Sequence, residues 1–145
     1  MNQVYARSRF AGDDWSDPKR KFGAVPVNAM SVDVEDYFQV EAFKSIIDRD
    51  SWENYPARVA QNTAHILDLF EAANARATFF ILGWVAERFP SVVRKIKTAG
   101  HEIASHGYAH ELAHTQTHDE FRRDVRRAKS ILEDISGDRV RVFRA

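Results

Sequence analysis

Two short clusters in this sequence carry the residue types of a metal centre. Ser31-Val32-Asp33-Val34-Glu35-Asp36-Tyr37-Phe38 places three carboxylates at the end of a mixed apolar run, and Ser105-His106-Gly107-Tyr108-Ala109-His110 places two imidazoles four residues apart. Four-residue spacing brings both rings to one side of a tight loop or helical turn, where they can share a cation. Each cluster also has an ordinary reading. Acidic residues after a strand can form a solvated turn, and His114 and His118 extend the histidine spacing into what could be an exposed helical stripe. Gly107 and the apolar residues before His106 argue against one continuous helix. With no cysteine in the chain, thiolate zinc sites, disulfides and a cysteine nucleophile are excluded. Metal binding falls to imidazole and carboxylate.

The elements that must position these clusters are legible from hydrophobic period and punctuation. Residues 28–34 read as a short buried strand that delivers carboxylates at its C-terminal edge. Residues 57–74 place Val59, Ile66, Leu67, Phe70 and Ala73 on one helical face. Residues 77–82 (A-T-F-F-I-L) are too short for a free-standing helix and rich in strand formers, so they predict a buried strand. A helix follows over 84–99, which Pro90 either kinks or divides, and a third strand over 101–105 runs straight into His106. Thr117 and Glu120 form a capping-box pattern for a helix through Ile135, with Phe121, Val125, Ala128, Leu132 and Ile135 facing inward. Residues 140–143 predict a fourth strand stopping at Arg144. Such alternation implies α/β architecture, with parallel strands wrapped by helices, either an open sheet or part of a barrel. Ligands of such folds collect at the C-terminal strand ends, where both clusters lie.

The 145 residues suit one domain, and 21 basic against 21 acidic side chains leave no net field to attract nucleic acid or an anionic membrane. Residues 1–27 lack periodicity and read as a flexible or peripheral leader, with the domain over 28–145. Asp13, Asp14, Asp17, Lys19, Arg20 and Lys21 stand where a signal peptide needs an apolar run, so the expected location is cytoplasmic. No stretch approaches transmembrane length.

From residue 28 onward the chain resembles the polysaccharide deacetylase family, the NodB-type or family-four carbohydrate esterases. The resemblance rests on the strand-end carboxylates, on Ser105–His110 as a His-Ser/Thr-x-x-His motif with Gly107 at the Ser/Thr position, and on the runs 77–83 and 100–105 in the right order. The wording of Val32–Phe38 is similar to a branch associated with exopolysaccharide gene clusters. The resemblance implies an incomplete (β/α) barrel and a divalent ion, zinc foremost, with cobalt or nickel as alternatives. It also implies removal of N-acetyl groups from a polysaccharide or oligosaccharide. The residue roles it suggests are Asp33 as general base, Asp36 with His106 and His110 as metal ligands, and Glu35 as competitor for either acidic role. Arg144 matches the start of an Arg-x-Pro motif whose arginine orients the catalytic aspartate.

Tyr108 is expected to bind substrate, and a backbone N–H near it to help stabilise the oxyanion. The acid that protonates the leaving amine belongs, by the resemblance, to a histidine on a later strand, so this chain is expected to be a C-terminally truncated piece. Trp52, in an irregular polar segment, is the candidate sugar-stacking surface, while Trp84 is expected in the core. Two alternatives remain open here. One is an amidohydrolase acting on a small cyclic amide or ureide on the same scaffold, and the other is a non-catalytic fragment.

Overall fold

A computed structural model describes residues 29–145. The leader read over residues 1–27 lies outside the described residues. Three parallel strands form the sheet: β1 (Ser31–Val34), β2 (Thr78–Ile81) and β3 (Glu102–Ser105), in the order β1-β2-β3. Ser31 is opposite Thr78 and Val34 opposite Ile81, while Thr78 is opposite Glu102 and Ile81 opposite Ser105. All three strands therefore end level, and the residues that follow them meet at one edge.

The helices are α1 (Val59–Ala72), α2 (Gly83–Arg88), α3 (Pro90–Thr98) and α4 (His118–Ser136). Pro90 divides the 84–99 segment rather than kinking it. It occupies the first turn of α3, where its missing N–H costs nothing and its fixed φ suits helix entry. Thr117 and Glu120 cap α4 reciprocally, and Gly137 ends it in the left-handed conformation. Alternation along the strands sends Phe79, Ile81 and Ile103 into the core against Val85, Val93, Ile96 and Leu132. Phe80 points to the opposite face, where the Arg144 guanidinium lies 3.9 Å from its ring centroid.

Two features depart from the sequence reading. The expected fourth strand is reduced to a single parallel bridge between Ser105 and Phe143, in which Ser105 donates to the Val142 carbonyl and Arg144 donates back to Ser105. The segment between β1 and α1 is a run of 3₁₀ turns, at Tyr37–Gln39, Glu41–Phe43 and Arg49–Asn54, packed on an aromatic cluster. Phe38 lies 6.3 Å from Trp52 and 6.0 Å from Trp84, and the two tryptophans meet edge to face at 5.5 Å. Trp52 is thus a core residue, 4% exposed. The expectation of a sugar-stacking surface at Trp52 is corrected accordingly: its ring is packed among Phe38, Trp84 and the Arg49 guanidinium. Trp84 is buried as expected. Among the described residues no helix is long and apolar enough to cross a membrane.

Candidate metal centre

Glu35, His106 and His110 converge just beyond the strand ends, each offering one ligand atom within 4.8 Å of the others. The two imidazoles stand nearly perpendicular, with ring centroids 4.9 Å apart. His106 is buried, and its Nδ1 lies 3.0 Å from the carbonyl oxygen of Arg144. A carbonyl only accepts, so Nδ1 must carry the proton. That leaves the Nε2 lone pair of a neutral ring available to an ion, the arrangement by which backbone contacts fix ligand tautomers.

His110 Nε2 lies 2.9 Å from Glu35 Oε2, yet that oxygen, sealed from solvent, receives no properly aligned hydrogen bond. The pair is a close contact rather than an aligned hydrogen bond, and it is ionic only when the imidazole is protonated. Contact with Glu35 raises the His110 pKa above its ordinary value, against the opposing effect of burial. His110 itself has φ 54°, a left-handed conformation that a residue with a Cβ adopts at a cost of about 1 kcal/mol. Such strain concentrates at functional sites. An under-satisfied buried carboxylate oxygen facing two imidazoles is the donor set of a divalent cation site with positions left open, so these residues fit a metal ion.

The structure does not bring Asp36 into this group, which corrects its expected role as ligand. Asp36 is 3% exposed, and its oxygens are spent on backbone amides. Oδ1 accepts from Tyr37 N at 3.0 Å, and Oδ2 accepts from Arg58 N at 2.6 Å and Val59 N at 2.9 Å. It caps its own 3₁₀ turn and also the start of α1, which has no side-chain cap of its own, while Gln39 Oε1 accepts from Asp36 N. Asp33 lies two residues before Glu35 and is gripped by Arg144, whose Nη1 donates to Oδ1 at 2.6 Å while Nη2 donates to Ser31 Oγ at 2.8 Å.

The matching family model is described as polysaccharide deacetylase and covers residues 50–145. The chain belongs to the polysaccharide deacetylase family. It is 39% identical over 75 residues to a peptidoglycan-N-acetylglucosamine deacetylase of Bacillus cereus, a match covering 52% of this chain and 27% of that protein. A chitooligosaccharide deacetylase of Azorhizobium caulinodans is 32% identical over 84 residues, covering 57% and 40%. A crystal structure from Mycobacterium smegmatis, assigned to the polysaccharide deacetylases, superposes with a TM-score of 0.67 at 28% identity, over 81% of this chain and 42% of that one. The chain thus matches less than half the length of each relative. Similarity to such structures places the sheet and helices in the family's NodB-type barrel, of which this chain forms part.

Tyr108 has a different place in this deacetylase domain from the one expected. Its ring packs against Gly83, where an added Cβ would stand 2.7 Å from it, and the Arg127 guanidinium lies 3.5 Å from its centroid. Its hydroxyl donates to Glu87 Oε2 at 2.7 Å. The side chain therefore rivets the histidine loop to α2 and α4 instead of offering itself to substrate, and its N–H, donated to Asp124, is not free for an oxyanion. Sequence reasoning also missed Glu111. Arg49 and Lys44 both pair with it, tying the turns after β1 to the residue after His110. Nothing local in the sequence marks that pairing, since its partners lie more than sixty residues apart.

Proposed function

We propose that the protein is a metal-dependent hydrolase that removes N-acetyl groups from a glycan, with Glu35, His106 and His110 holding a divalent ion. Zinc is the ion we assign, with cobalt or nickel able to replace it, because two imidazoles and one carboxylate suit these metals better than magnesium or calcium. The observation that carries the reading is the convergence of three ligand residues, one of them a glutamate with an under-satisfied buried oxygen. Names of the Bacillus and Azorhizobium relatives support an N-acetylated polysaccharide or oligosaccharide as substrate. The finer reading, an exopolysaccharide, is supported by the resemblance over Val32–Phe38.

When bound, a divalent ion supplies Lewis acidity toward a carbonyl oxygen and lowers the pKa of nearby water. Asp33 takes the proton from the water that attacks the acetyl carbon. Arg144 orients it by engaging Oδ1, leaving Oδ2 to receive that proton. His106 is held in the ligating tautomer by the Arg144 carbonyl, so one residue serves both halves of the site: its side chain sets the base and its backbone sets a ligand.

The test is cobalt or zinc titration of the metal-stripped full protein, together with acetate release from N-acetylglucosamine oligomers. About one ion per chain is expected, with release abolished in Glu35→Gln. Undiminished hydrolysis after exhaustive chelation would overturn the proposal and favour a metal-free amidohydrolase.

A further inference from the structure

We propose that Asp124, on α4, is a positioning residue for the metal centre, holding the loop between His106 and His110 by its backbone. The inference rests on the metal reading above and adds a residue to it. Asp124 Oδ2 accepts from Tyr108 N at 2.8 Å and Oδ1 accepts from Ala109 N at 3.2 Å. From the other side, the first residues of α2 donate to the same loop, Gly83 N to the Gly107 carbonyl at 2.8 Å and Trp84 N to the Tyr108 carbonyl at 3.1 Å. Ser105 Oγ accepts from Gly107 N at 3.3 Å. The amides at 107, 108 and 109 and the carbonyls at 107 and 108 are thereby satisfied from outside the loop. Neither histidine side chain is needed to hold the turn.

Three further observations set Asp124 apart from an ordinary surface carboxylate. It sits inside a 19-residue helix, where aspartate is a poor helix former. Arg122, Arg123, Arg126 and Arg127 surround it in sequence, yet among the described residues its oxygens go to loop amides and it forms no ion pair with them. The close approach also requires glycine opposite. At Gly107, with φ 75°, a Cβ would stand 2.8 Å from Asp124 Oδ2. Gly107 and Asp124 are thus one device: the missing side chain admits the carboxylate, and the carboxylate fixes where the two imidazoles start.

The experiment compares Asp124→Ala and Asp124→Asn with the control Thr117→Ala, which weakens the α4 cap without touching the loop, in the full metal-stripped protein. Melting, cobalt affinity, the cobalt visible spectrum and amide exchange at Tyr108 and Ala109 are measured for each. Asp124→Ala is expected to lose cobalt affinity by roughly 10–100-fold, the usual effect of removing a group that orients a ligand. Asp124→Asn, with one acceptor oxygen left, should fall between it and the wild type, and Thr117→Ala should lower the melting temperature with affinity and spectrum unchanged. Folded Asp124→Ala with unchanged affinity and unchanged amide protection would overturn the proposal. So would an equal affinity loss in Thr117→Ala. If the wild type binds no cobalt, the metal reading fails, and amide protection decides the clamp: lost in Asp124→Ala it stands, retained it falls.

Discussion

The loop after β1 and the loop after β3 meet at the same sheet edge, but they secure themselves in opposite ways. After β3, the backbone between the histidines is satisfied by α2, Ser105 and Asp124, so the two imidazoles are left to face Glu35. After β1, the backbone is satisfied by the loop's own side chains, and Asp36 and Gln39 are consumed in doing so. Glu35, one residue earlier, escapes that duty and is the carboxylate left for the histidines. The contrast teaches that three backbone amides held by one carboxylate fix where it points, and here they point Asp36 away from the histidines while Glu35 faces them.

The largest effects should separate these neighbours. Asp36→Ala strands three amides, and its loss is expected to cost about 3 kcal/mol of stability, read as a drop in denaturant midpoint, while any protein that remains folded keeps its metal stoichiometry. Glu35→Gln is expected to do the reverse, abolishing metal binding with little change in the melting of the metal-free protein. Equal metal loss in both would break the distinction. Next in size, Arg144→Gln removes the contact to Asp33 but keeps the carbonyl that orients His106. The expected result is a fall in kcat of about 100-fold from a misplaced base, with cobalt affinity nearly unchanged, checked by kinetics and titration.

The smallest effect sharpens the comparison with a histidine that is spent on the backbone. His101, 8% exposed, sits at the opposite end of β3, and its Nδ1 accepts from Ala77 N at 3.3 Å, which requires the neutral ring. Burial, aided by the Arg76 charge, depresses its pKa below the ordinary value. A depressed value means the unfolded chain takes up the proton first. The contribution of His101 to stability is therefore complete above about pH 6.5 and is lost as pH falls through its folded-state pKa. The raised pKa of His110 works in the opposite sense, so the test is a difference: from pH 7.5 to pH 5 the metal-free wild type should lose melting temperature relative to His101→Asn.

Both clusters were legible in the sequence, while Asp36, Tyr108 and Trp52 take places other than those expected, each for a physical reason. Asp36-x-x-Gln39 has the pattern of a capping box, the same signal that correctly located the start of α4 at Thr117 and Glu120. Strand β1 ends at Val34, so its period-two pattern stops short of Glu35 and Asp36 and does not say which of them meets the histidines. Trp52 was misread because its flanking residues are polar, although its ring is enclosed by Phe38 and Trp84 from distant segments. The fourth strand was overread because Val140 and Val142 have strand propensity, while only Phe143 forms a bridge to β3.

By itself the sequence determined the alternation of strands and helices, the caps and breaks that bound them, and the delivery of carboxylates and histidines to strand ends. These follow from period and local hydrogen bonding, which act over a few residues. Only the tertiary structure decided which carboxylate faces the histidines, and that Asp124 holds the loop through amides sixteen and fifteen residues before it. Those outcomes depend on which distant amides compete for each oxygen, and that competition is settled only once the strands lie side by side.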